Sequence, residues 1–328
     1  MSRLYGLDAL RGLAAILVMW GHISDLPNST LFAGNYGLCV DFFLMLSGYV
    51  LSRTFEVRMR AGMGVGQFMA KRYWRLFPLA ALGAVLALMV IAIKAGGTLS
   101  CADWGAFATA LLFLPYPEPW LFPVNGPRWS LFFELVMNLL HVTVLCWLSV
   151  RKLAIFLVVV AALQIMLISR GWFWPEPGHA AEFVPGSLRM IVSYTIGILL
   201  WRCAGERPLV VLRLPVLIGC FVAMVVFGTA FKSGTAGLVS VFVICPILLL
   251  GGVSYRPSAR LATWCAALGA VSYPVYALHG PLMWLAEWAA LPPPQIMVLA
   301  LSTVSAAICG VVWWHRSKAA QPALAAVL

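Results

Sequence analysis

Long apolar runs, separated by short polar or proline-rich stretches, make up almost all of this chain. They fall at approximately 8–26, 36–53, 76–95, 129–150, 153–169, 187–203, 209–230, 235–252, 262–289 and 294–314. Each is close to the roughly 20 residues that an α-helix needs to cross a bilayer. An eleventh run, 104–114, has the length of a re-entrant or interfacial segment. The pattern predicts an all-α polytopic membrane protein of about ten transmembrane helices. Residues 1–328 read as a single domain, with no long linker and no convincing repeat.

Charge sets the orientation. With ten spans, sixteen of the 22 Lys and Arg fall on the face that carries both chain ends, and five fall on the other. Arg11 lies within the first span. A spanning 104–114 would move Arg151 and Lys152 to the charge-poor face. Lys and Arg accumulate on the cytoplasmic side, so both termini are predicted cytoplasmic. The first run has Asp8 and Arg11 upstream of its apolar part and no small-residue cleavage pattern. It reads as a retained span and not as a signal peptide.

Composition narrows the function classes. The chain is 62% hydrophobic and 10% charged, against about 45–50% and about 25% in soluble domains. A soluble globular fold is excluded, and function belongs in the bilayer or at its faces. The net charge of +11 follows from the positive-inside bias. With no folded domain to carry a basic patch, no nucleic-acid partner is expected. None of the eight cysteines forms a C-x-x-C pair. They read as small buried hydrophobes, with a Cys39–Cys101 disulfide near the outer face as the weaker alternative. No metal site is expected, because neither H-x-x-x-H nor a Cys/His ligand spacing occurs.

The scarce charges inside the spans are the candidate chemistry. An ionisable side chain at mid-bilayer costs at least about 2.5–3.5 kcal/mol and is a functional candidate by default. Arg11, His22, Asp41, Glu134 and His279 stand out, and His141 is a weaker sixth. Arg11 and His22 lie within about 20° of one helix face and about 16 Å apart along the axis. The topology puts His22, Asp41, Glu134 and His279 at similar depth in the outer half. Two imidazoles and two carboxylates suit general acid–base chemistry, and they equally suit a transporter's proton relay. At the inner face, Arg72 and Arg75 share one side of a helical turn. That pair fits a phosphate-rich cytosolic ligand as well as a topological anchor. The outer loops 96–128 and 170–186 are rich in Pro, Gly and aromatics. They read as stiff interfacial loops, or as an aromatic surface for an acceptor such as a sugar.

Five motifs, taken together, resemble the acyltransferase-3 family of integral membrane acyltransferases. The stretch from Leu7 to His22 resembles the family's opening, with Arg11 and His22 separated by ten residues. Val40 to Tyr49 resembles V-D-x-F-F-x-L-S-G-F. Arg72 to Pro78 resembles R-x-x-R-I-x-P. Trp129 to Glu134 matches W-S-L-x-x-E, and Leu268 to His279 resembles L-G-x-x-S-Y-x-x-Y-x-x-H. The motifs cover about residues 5–315. Departures at Met45, Tyr49, Leu76 and Ala277 touch no ionisable position.

The resemblance implies transfer of an acyl group, most often acetyl, from cytosolic acyl-CoA to a hydroxyl of a glycan or lipid-linked sugar. It implies His22 as the catalytic base, oriented by Asp41 or Glu134. It puts Arg11, Arg72 and Arg75 on the acyl-CoA side. Trp129, Ser130, Tyr273, Tyr276 and His279 are expected on the acceptor side. Acyl-CoA would be a co-substrate, with no tightly bound cofactor. Membrane lipid would surround a stand-alone enzyme in a bacterial inner membrane. The rival reading is a multi-span transporter with a buried His/carboxylate relay.

Overall fold

The computed structural model describes residues 3–32, 34–117, 119–171, 178–230 and 234–325, which are predominantly helical. The first helices are α1 (Tyr5–Ser24), α2 (Gly37–Arg60), α3 (Val65–Lys94), α4 (Cys101–Leu111), α5 (Trp129–Thr143) and α6 (Val150–Ser169). They are followed by α7 (Phe183–Ala204), α8 (Leu214–Ala230), α9 (Gly234–Val239), α10 (Cys245–Ser254), α11 (Ala259–Trp288) and α12 (Pro293–Ala325). A π turn over Ser240–Ile244 joins α9 to α10. Among the described residues, nine helical segments are long and apolar enough to cross a membrane, and the apolar part of α8, Leu214–Val226, is a shorter tenth. An even number of crossings returns both chain ends to one face.

Two helices run further than their apolar stretches. α2 continues to Arg60 and α3 begins at Val65, so Glu56, Arg72 and Arg75 are helical. Apolar length measures what the lipid must cover, whereas a helix continues as long as its backbone bonds hold. Lys and Arg are good helix formers, so the basic inner ends stay helical past the lipid. By contrast, α4 stays short. Its start is fixed by a capping box in which Ser100 and Asp103 satisfy each other's backbone. The hydroxyl and backbone N–H of Ser100 donate to Asp103 and hold its carboxyl below the ordinary value.

Glycine permits the tightest helix crossing. A Cβ on Gly48 of α2 would collide with the carbonyl of Tyr194 on α7, and one on Gly197 of α7 with the carbonyl of Met45 on α2. With neither Cβ present, the two backbones touch. All eight cysteines are free, and Cys39 is fully buried while Cys101 is exposed. The Cys39–Cys101 disulfide is therefore corrected to two separate thiols.

The outer loops pair with each other. Leu121 donates to the Gly178 carbonyl at 2.9 Å and Ala180 to the Pro119 carbonyl at 3.0 Å. Residues 172–177, the aromatic part of the second loop, lie outside the described residues. At the inner face, a buried network ties α2, α5 and α7. Arg202 forks onto both oxygens of Glu56 at 2.7–3.1 Å. His141 bonds the same carboxylate at 3.1 Å, and Tyr194 at 2.9 Å through its other nitrogen. This pairing gives His141, the weaker sixth candidate, a packing role. Burying Glu56 requires such partners.

Candidate active site

A cavity of about 520 Å³ opens among α1, α2, α3, α5 and α11. That size is typical of small-molecule sites, which run to about 300–1,000 Å³. Its lining carries five arginines, Arg3, Arg11, Arg53, Arg72 and Arg75, and two acids, Asp8 and Glu134. Arg53 is paired with Glu206 at 2.7 Å, so the remaining four arginines against two acids leave an excess of two positive charges, and low-dielectric walls concentrate such a field. Ser130, Tyr273 and Tyr276 line the same cavity.

Local sequence explains how the arginines reach it. Gly12 and Gly269 let α1 and α11 approach closely. A Cβ on Gly12 would lie 2.7 Å from Leu268, and one on Gly269 2.6 Å from Asp8. Across that contact Arg11 donates to the Gly269 carbonyl at 2.5 Å, with Asp8 at 3.7 Å on its own helix. Arg72 projects from α3 onto Glu134 of α5 at 2.5 Å. Ser47 of α2 approaches the same carboxylate oxygen at 3.5 Å. Thus the R-x-x-R and W-S-L-x-x-E motifs meet in one ion pair. Arg75, one turn further along α3, lines the cavity with no hydrogen bond or ion pair among the described residues.

The outer end is built by α5 and α11. The Ser130 and Tyr276 hydroxyls both donate to the Pro127 carbonyl at 3.1 Å and lie against each other. Tyr273 donates to the Leu76 carbonyl. The His279 ring stands 5.9 Å from Tyr276, edge to face, and His22 stacks on His279 at 5.2 Å with 26° between planes. His279 Nδ1 lies 3.0 Å from the Val275 carbonyl, so this nitrogen carries the proton. Its Nε2 is then a buried lone pair with no hydrogen-bond partner among the described residues.

Most predicted residues converge. Arg11, Arg72, Arg75, Glu134, Ser130, Tyr273 and Tyr276 share the cavity, and the two histidines stand together behind Tyr276. Two expectations are revised. Asp41 is drawn to α7, where Arg189 holds both its oxygens at 2.8–3.1 Å and Ser193 donates at 2.8 Å. The Glu134 carboxylate is taken by Arg72. Neither predicted carboxylate reaches the His22 ring, which stacks on His279. Trp129 is buried, packs on Phe133 and is not among the cavity-lining residues.

Sequence reasoning passed over Glu56, and took Arg189 and Arg202 only into the count of charges on each face. Arg189 did carry a signal, since it falls inside an apolar run. It also left unread a stripe along α5. Ser130, Glu134, Asn138 and His141 are spaced four, four and three, which aligns them on one helix face. They meet Tyr276, Arg72, Tyr194 and Glu56 in turn.

Comparison with known proteins supplies the family. Residues 4–314 match the acyltransferase-3 family, described as an acyltransferase domain. "Protein 2 in picA locus" of Rhizobium radiobacter is 33% identical to this chain, over 41% of this chain and 78% of that protein. No solved structure matches. With nearly the whole length matched and the motif residues gathered around one cavity, the chain belongs to the acyltransferase-3 family of integral membrane acyltransferases.

Proposed function

We propose that this protein transfers an acyl group, acetyl in the first instance, from cytosolic acyl-CoA to a hydroxyl of a glycan or lipid-linked sugar. The membrane is the inner membrane of a bacterium. The observation that carries the reading is the arginine-lined cavity that ends at Ser130 and Tyr276, with the histidine pair beyond. Coenzyme A brings several phosphates, and guanidinium groups bind phosphate bidentately. Arg75 and Arg11 face those phosphates. Arg72, held by Glu134, keeps α3 and α5 in register around the pantetheine arm.

At the outer end the acceptor hydroxyl attacks the thioester carbonyl carbon. His22 takes the hydroxyl proton as the new C–O bond forms. The C–S bond breaks, and the CoA thiolate recovers the proton from His22. Ester and free CoA leave, and no net proton is gained or lost. Ser130 and Tyr276, whose hydroxyls donate to the Pro127 carbonyl, turn to donate to the developing oxyanion once the thioester is bound.

Purified protein in detergent, given acetyl-CoA and a panel of glycan and lipid-linked sugar acceptors, is expected to release CoA and yield acetylated product. Absence of acylation there, with transport of the same acceptors by the protein reconstituted in sealed proteoliposomes, would overturn the reading in favour of a transporter. Arg75→Ala is expected to raise the KM for acetyl-CoA by about 10- to 100-fold, the loss of one charged hydrogen-bonding group. An unchanged KM would return Arg75 to a topological anchor.

A further inference from the structure

We propose that Asn125 is a positioning residue that sets the acceptor end of the site, holding Tyr276 and His279 in place at the break that Pro281 makes in the α11 hydrogen-bond ladder. The proposal rests on the reading of those two side chains as acceptor-side groups. The chain at Asn125 re-enters the protein between α3 and α11. Asn125 is 1% exposed and sits in the left-handed region, with φ 70°. Asn is among the few residues that tolerate this conformation.

Its side chain answers a defect in α11. Pro281 lies inside that helix. Proline has no N–H, so the carbonyl four residues earlier loses its helical partner. That carbonyl is Ala277, and the Asn125 Nδ2 donates to it at 3.0 Å. Glycines make the room. A Cβ on Gly83 of α3 would lie 3.2 Å from Asn125 Nδ2, and one on Gly280 of α11 would lie 2.6 Å from Asn125 Oδ1. Two residues on, the Pro127 carbonyl receives the Tyr276 and Ser130 hydroxyls at 3.1 Å. One short segment therefore grips α11 at 276, 277 and 280, on both sides of His279. The proline breaks the helix ladder, and the segment replaces it with bonds that aim two functional side chains.

The test separates aim from stability. Asn125→Gly keeps the left-handed backbone at no steric cost and removes the amide. Asn125→Gly with Pro281→Ala lets α11 restore its own bond to Ala277. With Asn125→Gly, kcat is expected to fall on the order of tenfold or more, since small misplacements of positioned groups carry such losses. The KM for acetyl-CoA stays unchanged, because the donor arginines lie on other elements. In the double variant the Tm recovers and kcat does not. A second readout needs no activity. The rate at which diethyl pyrocarbonate modifies His279, followed by mass spectrometry, is expected to change in both variants. Wild-type kcat in Asn125→Gly, or recovery of kcat together with Tm in the double variant, overturns the proposal. If the wild-type protein transfers no acyl group, the functional reading falls, and an unchanged His279 modification rate separately removes the positioning role.

Discussion

His22→Ala is expected to lower acyl transfer by about 10²–10⁴-fold, the usual contribution of a positioned general base. Both kcat and kcat/KM fall together, because proton removal belongs to the transition state. Acyl-CoA binding is expected to survive. His22 is not among the cavity-lining residues, whereas the donor arginines Arg11, Arg72 and Arg75 are. The fold survives as well, since the described contact of the His22 ring is the stack on His279. Assays at saturating acetyl-CoA, with donor binding measured separately, distinguish these effects. Full transfer by His22→Ala would move the base to His279, whose Nε2 lone pair is already unpartnered. His279→Gln in the same assay completes the comparison.

The largest effect on stability is expected at Asp41. Asp41 and Arg189 are both 0% exposed, and Arg189 also donates to the Gly37 carbonyl at 2.5 Å. Two charges taken out of contact with water gain little net stability from their pairing. Removing one leaves the other buried and uncompensated, at about 3–5 kcal/mol. Asp41→Ala is therefore expected to unfold at markedly lower temperature or denaturant in detergent. Replacing both, as Asp41→Leu with Arg189→Met, is expected to recover most of the loss, because a buried pair exchanged for apolar groups of similar volume is often neutral. The double variant is also expected to retain transfer, as neither residue lines the cavity. Loss of transfer in a stable double variant would restore Asp41 to the catalytic machinery. An Asp41→Ala protein as stable as the wild type would show that the pair does not hold α2 to α7.

These two residues mark how far the sequence could be read. Asp41 and His22 were both visible as ionisable groups inside apolar runs, because lipid makes any such group conspicuous. Depth was legible only in part: the two histidines stand together, but Glu134, expected at their level in the outer half, pairs with Arg72, expected at the inner face. What depth leaves out is azimuth. Asp41 is directed at α7, whereas His279 is directed at α1. Which way a helix face turns depends on the neighbours it packs against. Arg72 and Glu134 show the same limit. Each motif stood on its own in the sequence, and their contact spans 62 positions.

The sequence by itself determined the membrane architecture, the orientation, the short α4 and the family, because hydrophobic length and charge bias act locally along the chain. Motif order carries the family in the same local way. Only the tertiary structure decided the pairings: Asp41 with Arg189, Glu134 with Arg72, Glu56 with Arg202, and Asn125 with the carbonyl that Pro281 leaves open. Each pairs a polar group with another distant in sequence. Inside a bilayer a buried polar group must find such a partner, and the partner is set by which helices the fold brings into contact.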